Sequence, residues 1–116
     1  MDLQNIYSAQ NTFAKERDWE KFHTPKNLVM ALSGETGELS EIFQWLTEAE
    51  ANAIMNNADK AESIRDEIAD IFYYVTRLAY VLNIDIESAF WEKMKKNAEK
   101  YPVHLSKGRA TKYTDL

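Results

Sequence analysis

Apolar residues recur along this chain at intervals of three and four, the period of an amphipathic α-helix, over four stretches. The first covers residues 2–18, with Leu3, Ile6, Tyr7, Gln10, Phe13 and Ala14 at helical spacing. A short link over residues 19–23 follows, and Thr24-Pro25 then reads as an N-cap and a first helical position. The second stretch, 25–46, carries the stripe Leu28, Leu32, Leu39, Ile42 and Leu46. Residues 47–60 are rich in Asn, Ala, Asp and Glu and read as a connection with room for one or two helical turns. The third stretch, 60–82, buries Ile64, Ile71, Val75, Leu78 and Leu82, and Asn83 closes it. Asp85 is an N-cap for a fourth helix that runs to residue 100 and stops at Pro102. The tail, 103–116, carries Gly108 and a cluster of basic residues. The pattern predicts an all-α, four-helix core. Three glycines and two prolines in 116 residues agree, because an all-β fold needs a turn every few residues.

The pattern breaks where carboxylates stand in apolar slots. Glu35 lies seven residues after Leu28 and seven before Ile42, so it points into the middle of its stripe. Glu38 is one turn on, at the stripe's edge, and Glu41 is further round. Glu67 falls three residues after Ile64 and four before Ile71, on the buried face of the third stretch, with Asp70 one turn later on its flank. One Glu-x-x-Glu on a helix is ordinarily a solvated face. Two acidic pairs on apolar faces are different: packed antiparallel, they bring four carboxylates together, and uncompensated buried charges cost several kcal/mol apiece. Arg65 lies about 160° round the helix from Glu67 and is poorly aimed to neutralise it. The other candidates for the positive charge are a lysine from within the chain or a divalent cation from outside. Oxygen ligands without cysteine or a nearby histidine favour Mg²⁺, with Mn²⁺ as a possible substitute. Gly34 and Gly37 flank Glu35 inside a helix, where glycine costs about 1 kcal/mol against alanine. Close approach of a neighbouring chain or ligand would explain them.

Composition narrows the class. One domain spanning residues 1–116 is expected, with a tail from about residue 101 that packs along an oligomer. A chain this short buries only roughly two-thirds of its unfolded surface, so self-association is plausible. The net charge of -5 argues against a nucleic-acid polymer as partner. With no cysteine there is neither a disulfide framework nor a thiolate metal site. No apolar run reaches the ~20 residues of a membrane span, and Met1-Asp2-Leu3-Gln4 lacks the features of a signal peptide. A cytoplasmic location without membrane contact is the expectation.

Aromatic and basic residues surround the acidic positions. Trp19 lies in the link, Trp45 is seven residues beyond Glu38, and Tyr74 is one turn beyond Asp70. Three aromatics near a cation site can clamp a planar base, though aromatics at helical spacing are commonly core. His23, beside Pro25, is either a substrate contact or a capping side chain. Lys93 and Asn97 share a face of the fourth helix, with Lys96 close by, and supply the cation and amide that a triphosphate tail needs. Basic residues there also favour the helix dipole. No Gly-x-x-x-x-Gly-Lys loop is present to cradle phosphates.

Gly34-Glu35-Thr36-Gly37-Glu38-Leu39-Ser40-Glu41, followed by Asp66-Glu67-Ile68-Ala69-Asp70, resembles the E-x-x-E…E-x-x-D signature of the MazG-like all-α NTP pyrophosphatases. The words Arg17-Asp18-Trp19-Glu20-Lys21-Phe22-His23, Glu41-Ile42-Phe43-Gln44-Trp45, Tyr101-Pro102-Val103-His104-Leu105 and Lys112-Tyr113-Thr114-Asp115-Leu116 are similar to its dCTP pyrophosphatase branch. The resemblance implies a four-helix core assembled as a homodimer or homotetramer, with sites at subunit interfaces. It implies magnesium ligation by Glu35, Glu38, Glu67 and Asp70, and a base and sugar pocket of Trp19, Trp45 and Tyr74 with His23 nearby. It further implies phosphate contacts from Lys93, Asn97 and Tyr101. The expected reaction is hydrolysis of dCTP or a modified dCTP to monophosphate and pyrophosphate, a pool-cleansing role, with Glu38 or Glu41 taking the proton of the attacking water. Gln10 stands where related dCTP-cleaving proteins can have a histidine, a departure that bears on base preference.

Three other readings compete. A broader dNTP, NTP or dUTP pyrophosphatase shares the chemistry. A non-enzymatic helical oligomerisation module predicts no magnesium-dependent stabilisation. A di-iron bundle usually adds Glu-x-x-His, and neither His23 nor His104 stands three residues after a glutamate.

Overall fold

The computed structural model describes residues 1–116, and every regular element in it is helical. Two compact units make up the chain, residues 1–83 and 84–116. Helix α1 spans Leu3–Glu16, with the Asp2 carboxylate accepting from the Asn5 N–H at 3.1 Å. It ends two residues sooner than its periodicity predicts. Asp18 turns into the left-handed region (φ 53), and the Trp19 N–H donates back to the Ala14 carbonyl at 2.8 Å, closing a Schellman cap. That reversal sets the link that follows, a 3₁₀ turn over Glu20–Phe22.

Thr24 accepts from the Asn27 N–H, and Pro25 opens α2, Pro25–Phe43. The helix stops three residues short of the predicted Leu46; the Leu46 N–H instead donates to the Phe43 carbonyl in a turn. The predicted connection is more ordered than its composition suggests. Thr47 and Glu50 form a reciprocal capping box that starts the short α3, Glu48–Asn52, and a 3₁₀ turn over Ile54–Asn56 leads on. Helix α4, Ala58–Val81, begins two residues before the predicted start because Asn57 caps it through the Lys60 N–H. Asn83, at φ 55, ends the unit as predicted; asparagine tolerates that conformation better than most side chains.

Within the first unit α2 packs along α4, and α1 and the Ile54–Asn56 turn also lie against α4. The buried apolar set is small: Ala14, Leu28, Ile54, Ala61, Ile64 and Ala79. Leu28 on α2 and Ile64 on α4 each lie one helical repeat, or one turn, from an acidic residue on the same face. The packing of α2 on α4 that buries these two faces also brings Glu35 and Glu67 together. Leu82, predicted as buried, is exposed in the chain.

The second unit holds α5, Ile86–Lys100, capped by Asp85 through the Ser88 N–H. It also holds α6, Val103–Ser106, and a closing 3₁₀ turn, Tyr113–Asp115. Tyr101 meets Tyr113 edge-on at 6.0 Å, and the Lys100 ammonium lies 4.8 Å from the Tyr113 ring centre. Gly108 takes φ 75, a conformation that favours glycine. No helix is long and apolar enough to cross a membrane.

Candidate active site

Helix α2 contributes Glu35 and Glu38 from adjacent turns, and α4 contributes Glu67. One carboxylate oxygen from each lies within 4.8 Å of the others. Glu35 and Glu67 are partly buried, and each has one oxygen, Oε2, sealed from solvent with no hydrogen-bond donor. The chain's two ion pairs, Arg17–Glu16 and Lys21–Asp18, lie elsewhere. Like charges this close resist ionisation together. Contact with the Glu67 carboxyl, which is favourable only when one of the two is protonated, is the largest influence on Glu35. Burial, contact with Glu38, and the charges of Glu38 and Asp70 add to it, and the Glu35 carboxyl is pushed up to about 7. Sealed oxygens without donors and a frustrated carboxylate are what a hard divalent cation would satisfy, and every ligand atom here is oxygen. The donor set fits such an ion.

Asp70 does not join the three oxygens that converge most closely. It acts on Glu35 by charge and also lines a cleft of about 790 Å³. Tyr74, in the same cleft, has its hydroxyl pKa raised by burial and then by the Glu35, Tyr73 and Asp70 charges, so cleft and cluster adjoin. Trp19 and His23 line the cleft too. Phe13 meets Trp19 edge-on at 5.6 Å, and Tyr73 meets Tyr74 edge-on at 5.3 Å.

The cleft also includes residues that the sequence reading assigns to a core stripe. Ile6, Gln10 and Phe13 form one wall. Their spacing on α1 is that of a buried face, and spacing alone does not separate packing against a neighbour from lining a cavity. Gln10 is the informative one. It is 5% exposed, and its Nε2 donates to Thr76 Oγ1 at 2.8 Å while its Oε1 has no partner. A polar residue in an apolar stripe was the available signal, the same one that marks Glu35. Arg77, which donates to the cleft-lining His23, has no counterpart in the predicted site.

Other predicted residues are not among those brought together. Trp45 lies past the end of α2, 86% exposed and outside the cleft lining. Glu41 is exposed and not among the converging carboxylates. Lys93, Asn97 and Tyr101 belong to the second unit, where Lys93 is exposed and the Tyr101 N–H caps α5 on the Asn97 carbonyl. A Cβ built on Gly34 or Gly37 meets nothing within 4 Å, so no part of this chain supplies the close approach that the glycines suggest.

The sequence model of the MazG-like family matches residues 30–116, which include all four acidic positions. The chain belongs to the MazG-like family. Relatives extend the likeness to α1 and the link. The dCTP pyrophosphatase 1 of Rattus norvegicus is 44% identical over 114 residues, covering 98% of this chain and 67% of that protein. The Homo sapiens protein of the same name is 40% identical over the same shares. Among solved structures, a pyrophosphatase from Archaeoglobus fulgidus superposes with a TM-score of 0.80 at 36% identity, covering 85% of this chain and 91% of that one. The MazG-like cluster of carboxylates can hold a metal ion, and a nucleotide is the substrate class its family implies.

Proposed function

We propose that this MazG-like chain is a dCTP pyrophosphatase, hydrolysing dCTP to dCMP and pyrophosphate. The observation that carries the reading is the juxtaposition of the Glu35–Glu38–Glu67 cluster with an aromatic cleft through Asp70 and Tyr74. Relatives named for this activity match nearly the whole chain.

Magnesium is the proposed ion, with Glu35, Glu38, Glu67 and Asp70 holding it and Mn²⁺ able to substitute. When bound, such an ion supplies charge neutralisation and Lewis acidity at the triphosphate. The chain's own groups do the rest. Glu38 or Glu41, both exposed, takes a proton from the water that attacks the α-phosphorus. The bond from that phosphorus to the bridging oxygen breaks, and pyrophosphate leaves. Trp19, Tyr74 and His23 seat the nucleoside, and Lys93, Asn97 and Tyr101 are the proposed phosphate contacts, on the match between their groups and a polyanion.

Assembly as a homodimer or dimer of dimers belongs to the same reading. Val29 and Met30 on α2 and Phe90, Trp91 and Met94 on α5 are exposed apolar side chains, and the fully buried core is small. Trp45 is free to serve a second copy's cleft, and the open space over Gly34 and Gly37 admits a second backbone. A panel of dNTPs and NTPs, including 5-modified dCTP, assayed for monophosphate and pyrophosphate with and without Mg²⁺, tests the reading. dCTP is expected to lead, and pyrophosphate release only from other nucleotides refutes the substrate assignment.

A further inference from the structure

Arg77 is 4% exposed, a full positive charge inside the first unit, yet no carboxylate pairs with it. Its guanidinium is held by neutral groups. Nη1 donates to Asn11 Oδ1 on α1, and Nε donates to His23 Nδ1 in the link at 3.2 Å. Guanidinium has donors only, so His23 Nδ1 must present its lone pair. The one ring proton of a neutral imidazole then resides on Nε2. Nε2 has no partner in the chain and is not among the sealed polar atoms, and His23 lines the cleft. The Tyr73 ring stands edge-on to the imidazole at 6.5 Å and steadies its plane.

We propose that Arg77 is a positioning residue for substrate selection: it locks His23 with its proton on Nε2, so that this N–H donates to an acceptor on the nucleoside seated in the cleft. The proposal rests on the reading of the cleft as the nucleoside seat. Cytosine offers two such acceptors on its ring, the O2 carbonyl and N3. The choice of arginine is the physical point. A carboxylate behind the ring would accept from Nδ1–H, leave Nε2 a bare acceptor in the neutral form, and favour the imidazolium. Arginine imposes the opposite arrangement and disfavours a second ring proton. Arg77 and Tyr73, both from α4, are the charged and titratable groups facing the ring, and Asn11 from α1 is a neutral amide. Burial first, and the Arg77 charge second, hold His23 below its ordinary value of 6.5.

The test uses the full chain. Long-range ¹H–¹⁵N spectra between about pH 5 and 8 should show wild-type His23 with a protonated Nε2, a bare Nδ1 and no titration near neutrality. The Nε2–H resonance should shift when dCMP is added. Arg77→Met should shift the titration of the ring upwards, since burial alone then holds it down, and should mix its tautomers, while Arg77→Lys partly restores the wild-type spectrum. With dCTP at about pH 8, where the freed ring is neutral and its tautomers mix, R77M should raise KM several-fold with kcat little changed, the loss shrinking towards about pH 6 as the imidazolium regains an Nε2–H. Should R77M fail to fold, His23→Gln, which keeps a donor, should preserve KM better than His23→Leu. Wild-type His23 carrying its proton on Nδ1, titrating near 6.5, or ignoring dCMP would overturn the proposal. So would R77M with an unchanged tautomer and KM. The spectra and the dCMP titration need no turnover, so a failed pyrophosphate assay would sink the functional reading separately.

Discussion

The acidic cluster and the cleft adjoin, yet they handle an unpaired charge in opposite ways. Between α2 and α4, Glu35, Glu38 and Glu67 face one another with no cation to receive them, and Glu35 holds its proton to about 7 in response. Beside the cleft-lining His23, Arg77, also without a counter-ion, is satisfied by the neutral oxygen of Asn11 and the neutral nitrogen of His23. Cations with several donors are readily solvated by amides and imidazoles, whereas carboxylates need donors, and the cluster contains none. One region is thus complete within the chain, and the other can take a metal ion from outside.

The sharpest way to break this contrast is to remove a carboxylate. Glu38→Gln or Asp70→Asn should cut pyrophosphate release from dCTP by about 10²–10³ or more, with the helical circular-dichroism signal unchanged. Turnover near the wild-type rate would separate the cluster from the chemistry. Binding of the ion should appear as stability: at about a hundred times its Kd, Mg²⁺ should add about 2.7 kcal/mol, read as a rise in melting temperature that EDTA reverses. Glu35→Gln should melt higher than wild type without metal, because it relieves repulsion, and should lose most of the Mg²⁺ response. A wild-type chain indifferent to divalent cations removes the basis for the site.

The aromatic side responds more gently. Trp45→Ala should weaken nucleotide binding by about 1–3 kcal/mol and leave Mg²⁺ binding in place, measured by calorimetry. Equal losses for both ligands would assign Trp45 to packing. The smallest effect concerns protons. Glu35 has a folded-state pKa raised from 4.5 to about 7, so its favourable contribution is complete below 4.5 and is lost as the pH climbs through 7. Metal-free melting temperatures should therefore decline across that interval, and saturating Mg²⁺ should flatten or reverse the slope. A metal-free profile that rises there would contradict the crowding of the three carboxylates.

Much of this was legible in the order of residues. Helix positions follow from apolar periodicity, and their ends from caps that a few residues signal: Thr24-Pro25, Asn83 and Asp85. Glu35 and Glu67 announced themselves by occupying apolar positions. Gln10 made the same statement on α1 in a quieter way, because an uncharged amide is easily accepted in a core when one end finds a partner, here Thr76. The Thr47–Glu50 capping box was also written in the chain, within a segment whose composition suggested a plain connection.

Sequence alone determined that the chain is helical, which faces of its helices are apolar, and which carboxylates interrupt them, because these depend on neighbours three or four positions apart. Tertiary structure decided which interruptions meet. It brought Glu35, Glu38 and Glu67 together, kept Glu41 outside, turned the Ile6–Gln10–Phe13 stripe into a cleft wall, and placed Arg77 behind His23. Those outcomes depend on the rotation and register of packed helices, α2 against α4 above all, which are set by side chains far apart in sequence that come together only on folding.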